Sequence, residues 1–216
     1  ALHRAPVFER LGLSSEDKQR SRQYAEQRQR NTLQGSMTSL ENFYWSLDMQ
    51  LDVFLVTYAD VARVAQLTQK TNQFNLTTRR YSEAEISRFL DDQLFDVFAA
   101  RVKDRFGDSG IIAVAIVEVD KTKGRLDTFL MSCRVIGKTV ETGILSIIAD
   151  RLKAKGVTTL IGNFIATAKN SPATSFFPDH GFKKNKDGGW QIELTKASLK
   201  MPEWFKSKIL NTKGAD

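Results

Sequence analysis

Between Asp127 and Ile148 the chain passes from an apolar stretch, across a turn that contains a glycine, into a helical stripe, and this passage restricts its architecture more than any other. Thr128 to Val135 carries β-branched and aromatic residues, which predicts a buried strand. From Val140 the apolar residues Ile144, Ile147, Ile148 and Leu152 recur at three- and four-residue spacing, which predicts a helix with one core-facing stripe. Between them lie Arg134, Gly137 and Thr139. A strand that runs through R-x-x-G-x-T into a helix leaves backbone N–H groups unbonded at the helix start, and Gly137 permits close approach to the main chain, so the turn reads as an anion cradle.

The 216 residues, 41% hydrophobic and 10% aromatic, suffice for one α/β domain with extensions and make two full domains tight. Cys133 is the single cysteine, so no intrachain disulfide forms; a reducing compartment fits, with the cytoplasm as the expected location. The longest apolar run, Ile111 to Val117, is too short to span a bilayer, and no membrane role is expected. The net charge of +7 gathers late, with eight lysines against three acids between Lys183 and Lys213. That segment has no arginine and no recognisable nucleic-acid motif, so it reads as a solvated face or as a surface that steers an acidic partner, with no nucleic acid expected. No metal-ligand spacing is present.

Three regions are expected. Residues 1–38 form a linker followed by a polar helix that starts at Ser14 or Ser15 and, lacking an apolar stripe, reads as a bridge to another domain. Residues 39–200 form the α/β domain, and residues 201–216 a basic tail with an amphipathic patch at Trp204, Phe205, Ile209 and Leu210. Within the domain the pattern predicts a short helix from Ser39 to Leu47, a strand from Met49 to Val56, a helix from Asp60 and another from Ser82 to Leu90. Strands at Asp96–Lys103 and Ile111–Val119 follow, with a tight turn at Gly107–Gly110 between them. These two and the central strand are expected to pair antiparallel. Gly156 ends the central helix, Val157–Ile165 forms a strand parallel to the central one, a short helix covers Ser171–His180, and Gln191–Leu194 is a last strand.

The segment Lys70–Ser82, KTNQFNLTTRRYS, sets Asn72, Gln73, Asn75, Thr77, Thr78, Arg79 and Arg80 around few apolar residues. Its amides and hydroxyls suit the reading of hydroxyls and carbonyls, and its arginines suit a carboxylate or phosphate. Equally, Asn and Thr bond their own backbone readily, which describes a self-satisfied loop.

The succession of a strand, a helix pair, three antiparallel strands, the R-x-x-G-x-[AGT] turn, a helix, a strand, Asn170 and Ala173 as N-x-x-A, Gly181–Phe182 and a strand resembles the GNAT acyltransferase fold, with a mixed, mostly antiparallel central sheet flanked by helices. More specifically, KTNQFNLTTRRYSEAEI, DRFGDSGIIAVAI and FLMSCRVIGKTVE resemble the C-terminal, GNAT-like half of the FkbH-like proteins of polyketide extender-unit assembly. The resemblance spans Lys70 to Glu141 and weakens towards Phe182.

That resemblance implies an enzyme that moves a small, glyceryl-type acyl group to the phosphopantetheine thiol of an acyl carrier protein, alongside a HAD-type phosphatase-like domain. The sequence contains no D-x-D-x-T motif, so that domain would lie elsewhere in a longer chain or on a partner. Four positions before Gly181, where the GNAT family often has a tyrosine, stands Phe177, which weighs against an ordinary amine acetyltransferase. Under this reading Cys133, beside Arg134 and a helix N-terminus, would hold the acyl group as a thioester, with His180 as base. Arg134, Val135, Gly137, Lys138 and Thr139 would hold the phosphopantetheine arm or coenzyme A, and Asn72, Gln73, Asn75, Thr77, Arg79 and Arg80 would wall the acyl group. Glu141 would orient Arg134 or serve as an acid at the helix start. For Cys133 a buried structural thiol, and for His180 a packing role, stand beside these readings. A coenzyme A-dependent N-acyltransferase and a noncatalytic carrier-docking domain are the alternatives for the whole chain.

Overall fold

The structure is a computed structural model that describes residues 15–210, with side chains for residues 21–206. The first helix, α1 (Ser15–Ser36), is polar as expected but does not project away from the domain: Glu26 and Arg30 are buried. Helix α2 (Leu40–Leu47) starts where Ser39 Oγ accepts from the Asn42 N–H and buries Phe43, Tyr44 and Leu47. Strand β1 (Met49–Leu55) alternates buried and half-buried positions, the period-2 signature of a sheet. Helix α3 (Val61–Lys70) turns Val61, Val64, Ala65 and Leu67 inward. The two-residue strand β2 (Phe74–Asn75) precedes α4 (Glu83–Asp91), which a reciprocal Ser82–Glu85 capping box starts.

Strands β3 (Phe95–Asp104), β4 (Gly107–Asp120) and β5 (Lys123–Met131) pair antiparallel, as the sequence predicts. Their first hairpin turns earlier than expected, at Asp104–Gly107, because Asp104 Oδ1 accepts from the Phe106 and Gly107 N–H groups at 3.0 and 3.2 Å. The central strand also stops short of Val135. It ends at Met131, the Ser132 N–H bonds the Ile112 carbonyl, and Cys133–Val135 forms a single 3₁₀ turn. Helix α5 (Val140–Ala154) buries Ile144, Ile148 and Leu152 and ends at Gly156, whose φ of +83° suits a residue without Cβ.

The parallel strand β6 (Thr159–Gly162) follows, shorter than the expected Val157–Ile165. Pro172 and Pro178 break the expected Ser171–His180 helix into a 3₁₀ turn and the four-residue α6 (Phe176–Asp179). Strands β7 (Lys183–Lys184) and β8 (Trp190–Glu193) extend that edge. At the opposite edge, β9 (Phe205–Leu210) pairs parallel to β1, so this part of the expected tail belongs to the sheet. The order is β7-β8-β6-β5-β4-β3-β1-β9, with β2 beside β5; among the described residues only the β5–β6 and β1–β9 pairs are parallel. One core lies between the sheet and α2 and α5, and a smaller one lies under α3 and α4. Among the described residues no helix is long and apolar enough to cross a membrane.

Candidate active site

The site forms where the two parallel central strands separate. β5 and β6 pair only from Lys123–Leu126 to Thr159–Gly162. Beyond that, Phe74 and Asn75 take Met131 and Leu130 as partners, the Leu76 N–H donates to the Phe129 carbonyl at 3.0 Å, and the Ile165 N–H donates to the Leu76 carbonyl at 2.8 Å. The chain's own segment therefore fills the wedge. Asn170, fully buried, locks it there by donating to the carbonyls of Asn75 (2.8 Å) and Ile165 (2.9 Å).

Most polar groups of Lys70–Ser82 are committed to this construction. Asn75 is fully buried, donates to the Thr71 carbonyl and accepts from the Thr78 N–H at 2.9 Å. Thr77 Oγ1 donates to the Asp127 carbonyl at 3.0 Å, and Arg79 and Tyr81 both bond the Asp127 carboxylate. Arg80 donates to the Thr68, Gln69 and Thr71 carbonyls and to Asn72 Oδ1. Asn75 and Arg80 thus bond within their own segment and the helix before it, as a self-satisfied loop would, whereas Thr77 and Arg79 are tied to β5 at Asp127. Asn72 and Gln73 differ, because they line a cavity of about 320 Å³ together with Arg63, Ser132, Cys133 and Arg134.

Cys133 is exposed on its 3₁₀ turn and not buried as a packing thiol. It and Arg134 line a second cavity, of about 670 Å³, walled by α1. Arg134 is half-buried, donating from Nε to Ser132 Oγ at 3.2 Å and from Nη2 to the Ser109 carbonyl at 3.3 Å, and burial moves its guanidinium below its ordinary value. Gly137 is exposed, at φ +76°, with open space where a Cβ would stand. Lys138 lines the larger cavity yet is only 8% exposed; burial, with Arg30 and then Arg134 adding repulsion against the attraction of Asp104, pushes its ammonium down to about 8. Val135 points into the core instead.

The start of α5 is fixed from two sides. Tyr44 OH donates to the Gly137 carbonyl at 2.7 Å, and Trp204 Nε1 donates to Thr139 Oγ1 at 2.9 Å. Thr139 sits at φ +56° and gives the helix no side-chain cap. Glu141 makes no bond to Arg134: its carboxyl is raised by burial and by Asp179, and Oε2 has no partner among the described residues.

His180 stands elsewhere. Its Nδ1 lies 2.6 Å from the Phe176 carbonyl, which only accepts, so Nδ1 carries the proton; Nε2, 2.9 Å from Thr142 Oγ1, is then the acceptor in the neutral ring. Burial lowers its pKa, consistent with that neutral form. It lines a cavity of about 1030 Å³ with Lys123, Lys183 and Lys196, and among the described residues it does not line either cavity that Cys133 lines. Phe177 is fully buried and stacks on Trp190.

Sequence reasoning did not include α1 in the site. Gln23, Gln27, Arg30, Asn31 and Gln34 all line the 670 Å³ cavity beside Cys133, and their three- and four-residue spacing is a polar helical face that could have flagged it. Arg63 of α3 was also missed, since with Lys70 it reads as the ordinary polar face of an amphipathic helix.

The residues present fit a phosphopantetheine arm in kind: a cavity within the roughly 300–1,000 Å³ of small-molecule sites, two cations and an open glycine. No family model matches the sequence, and no curated protein matches it. Solved structures do. The ribosomal-protein-S18-alanine N-acetyltransferase of Escherichia coli is 16% identical with a TM-score of 0.51, over 69% of this chain and 97% of that one. The PaiA N-acetyltransferase of Thermoplasma acidophilum, in complex with coenzyme A, is 14% identical with a TM-score of 0.51, over 67% and 99%. A variant of the spermidine N-acetyltransferase of Vibrio cholerae is 14% identical with a TM-score of 0.51, over 68% and 95%. At such identities the likeness speaks for architecture, and this chain has the mixed α/β fold of the GNAT acetyltransferases.

Proposed function

We propose that this chain is an acyltransferase that carries a small hydroxylated acyl group, of glyceryl type, as a thioester on Cys133 and passes it to the phosphopantetheine thiol of an acyl carrier protein. The observation that carries the reading is that Cys133 and Arg134 together line two cavities, so that a donor and an acceptor can reach one sulfur from different sides. In the first step the Cys133 sulfur attacks the carbonyl carbon of an acyl phosphate or thioester. A C–S bond forms, the phosphate or thiolate leaves with its electron pair, and the sulfur's proton passes to the solvent to which Cys133 is exposed. Arg134 keeps N–H donors beyond those bonded to Ser132 and Ser109, and with its charge these suit the oxyanion of the tetrahedral intermediate. In the second step the acceptor thiol loses its proton to solvent and attacks the same carbonyl, the C–S bond to Cys133 breaks with its electron pair leaving on sulfur, and the Cys133 thiolate takes a proton back from solvent. The amides of Asn72 and Gln73 in the smaller cavity supply donors and acceptors for acyl hydroxyls.

The resemblance of the chain to the FkbH-like proteins supports polyketide-type biosynthesis in the cytoplasm with a HAD-type phosphatase-like partner. A second reading, coenzyme A-dependent N-acyl transfer, draws on the shared fold and on the open Gly137 turn, and needs no cysteine. Intact-mass measurement separates the two. Incubation with a glyceryl donor should add one acyl mass to the wild type and none to Cys133→Ser, and transfer to carrier protein should fail in the variant. Wild-type transfer rates in Cys133→Ser would exclude the thioester mechanism.

A further inference from the structure

Two half-buried guanidiniums line the smaller cavity beside Cys133: Arg134, from the turn itself, and Arg63, from α3. Both are anchored on main-chain carbonyls of β4. Arg134 Nη2 donates to the Ser109 carbonyl and Arg63 Nη2 to the Ile111 carbonyl, each at 3.3 Å, on either side of Gly110. Arg63 Nη1 also donates to Gln66 Oε1. Each guanidinium thus bonds neutral acceptors, and among the described residues no acid lines this cavity, while a third cation, the exposed Lys70, does. Glu26, the acid that attracts Arg134, pairs with Arg22 at 2.9 Å. Burial, and then the charge of Arg134, move the Arg63 guanidinium below its ordinary value, as two like charges sharing one small space should.

Holding two such cations close together opposes folding, so the arrangement suits negative charge that arises in the cavity during a reaction. When the Cys133 sulfur attacks an acyl carbonyl, that charge appears on the carbonyl oxygen. Arg134 supplies donors from one element, and Arg63, with two of its nitrogens engaged out of a five-donor fork, keeps others to spare. We propose that Arg63 is a catalytic residue that binds, together with Arg134, the oxyanion formed as Cys133 is acylated. The carbonyl electron pair moves onto oxygen as the C–S bond forms, both guanidiniums donate hydrogen bonds to it, and the pair returns as the leaving group departs. No proton is transferred to or from either arginine. The inference rests on the acyl-transfer reading and adds to it a residue about seventy positions from the cysteine in sequence.

The test compares two reactions of the same sulfur in the whole chain. The first is single-turnover acylation by the N-acetylcysteamine thioester of glyceric acid, followed by intact mass; this donor is uncharged, so the arginine charge acts on it chiefly through charge that develops in the reaction. The second is alkylation by iodoacetamide, a direct displacement at carbon with no tetrahedral oxyanion. Arg63→Met should slow maximal acylation about a hundredfold, move the half-saturating donor concentration by less than about threefold, and leave alkylation within about twofold. Arg63→Lys, which keeps the charge but not the planar fork, should recover about tenfold of that loss. If Arg63→Met does not fold, Arg63→Gln takes its place with the same expectation. Unchanged acylation in the variant, or acylation and alkylation slowed alike as a disturbed turn would slow them, would overturn the assignment. A wild type that the glyceryl thioester does not acylate would instead refute the acyl-transfer reading, and this inference with it.

Discussion

Replacing Arg30 by methionine should detach α1 and dismantle the larger cavity. In the native protein the Arg30 and Asp104 side chains are 6% and 2% exposed and joined by two hydrogen bonds, with Arg30 also set against the Phe106 ring, 5.9 Å from its centroid. Burial pushes the Asp104 carboxyl up, but the Arg30 hydrogen bonds and charge, the Phe106 N–H and Lys138 outweigh it and hold the group below its ordinary value. Removing one partner from a buried pair costs about 3–5 kcal/mol, because the other charge is left in low dielectric. Here two effects trim that figure. Asp104 keeps the Phe106 and Gly107 N–H bonds, and α1, of whose described side chains only Glu26 and Arg30 are buried, can come away and return Asp104 to water. About 3 kcal/mol at pH 7 is therefore expected, read by urea denaturation followed by circular dichroism, with new proteolytic cleavage within Ser15–Ser36.

The pH dependence provides an internal control. Since the folded value of Asp104 is depressed, its contribution is present above the unfolded value of about 3.9 and is lost as the pH falls through the folded one. The gap between wild type and variant should narrow in acid accordingly. A loss under about 1 kcal/mol at pH 7, or a gap that does not change with pH, would refute the argument that this pair anchors α1.

Three further outcomes follow from the same geometry. Lys138 titrates near 8 in the folded chain against an ordinary 10.5, so between those values the unfolded state binds more protons and stability should rise with pH, by at most about 3 kcal/mol, a rise that Lys138→Met should abolish in denaturation curves taken from pH 7 to 10. Asn75→Ala, which strips two side-chain bonds from a fully buried position, should cost about 2 kcal/mol in thermal unfolding, and an unchanged midpoint would mean that its amide is not structural. His180→Ala should leave the rate of acyl loading on Cys133 within about twofold, because the two residues line separate cavities, and a loss beyond about tenfold would show that they act together.

Local signals in the sequence were sufficient for local structure. The Val140, Ile144, Ile148 and Leu152 stripe marks α5 to its first residue, Ser39 and the Ser82–Glu85 box mark two helix starts, and Gly156 marks a helix end. Each depends on contacts within one or two turns, which residue order alone fixes. The antiparallel β3-β4-β5 meander was legible for a similar reason, its strands being joined by tight turns. Identity of the candidate nucleophile was likewise fixed, because the chain has only one cysteine.

Tertiary structure alone decided what the polar groups do. Thr77, Arg79 and Tyr81 find their acceptors at Asp127, about fifty positions away, and so become scaffold, while Asn72 and Gln73 from the same stretch line a cavity that Cys133 also lines. Arg30 meets Asp104 across 74 positions, which turns an apparently unanchored polar helix into a wall of the site. Residues 205–210 find a strand edge at β1, and His180 closes on Thr142 away from the cysteine. A hydrogen-bonding side chain is satisfied by whichever partner the folded chain brings within about 3 Å, and that choice is made by strand order and helix docking, which residue composition does not encode.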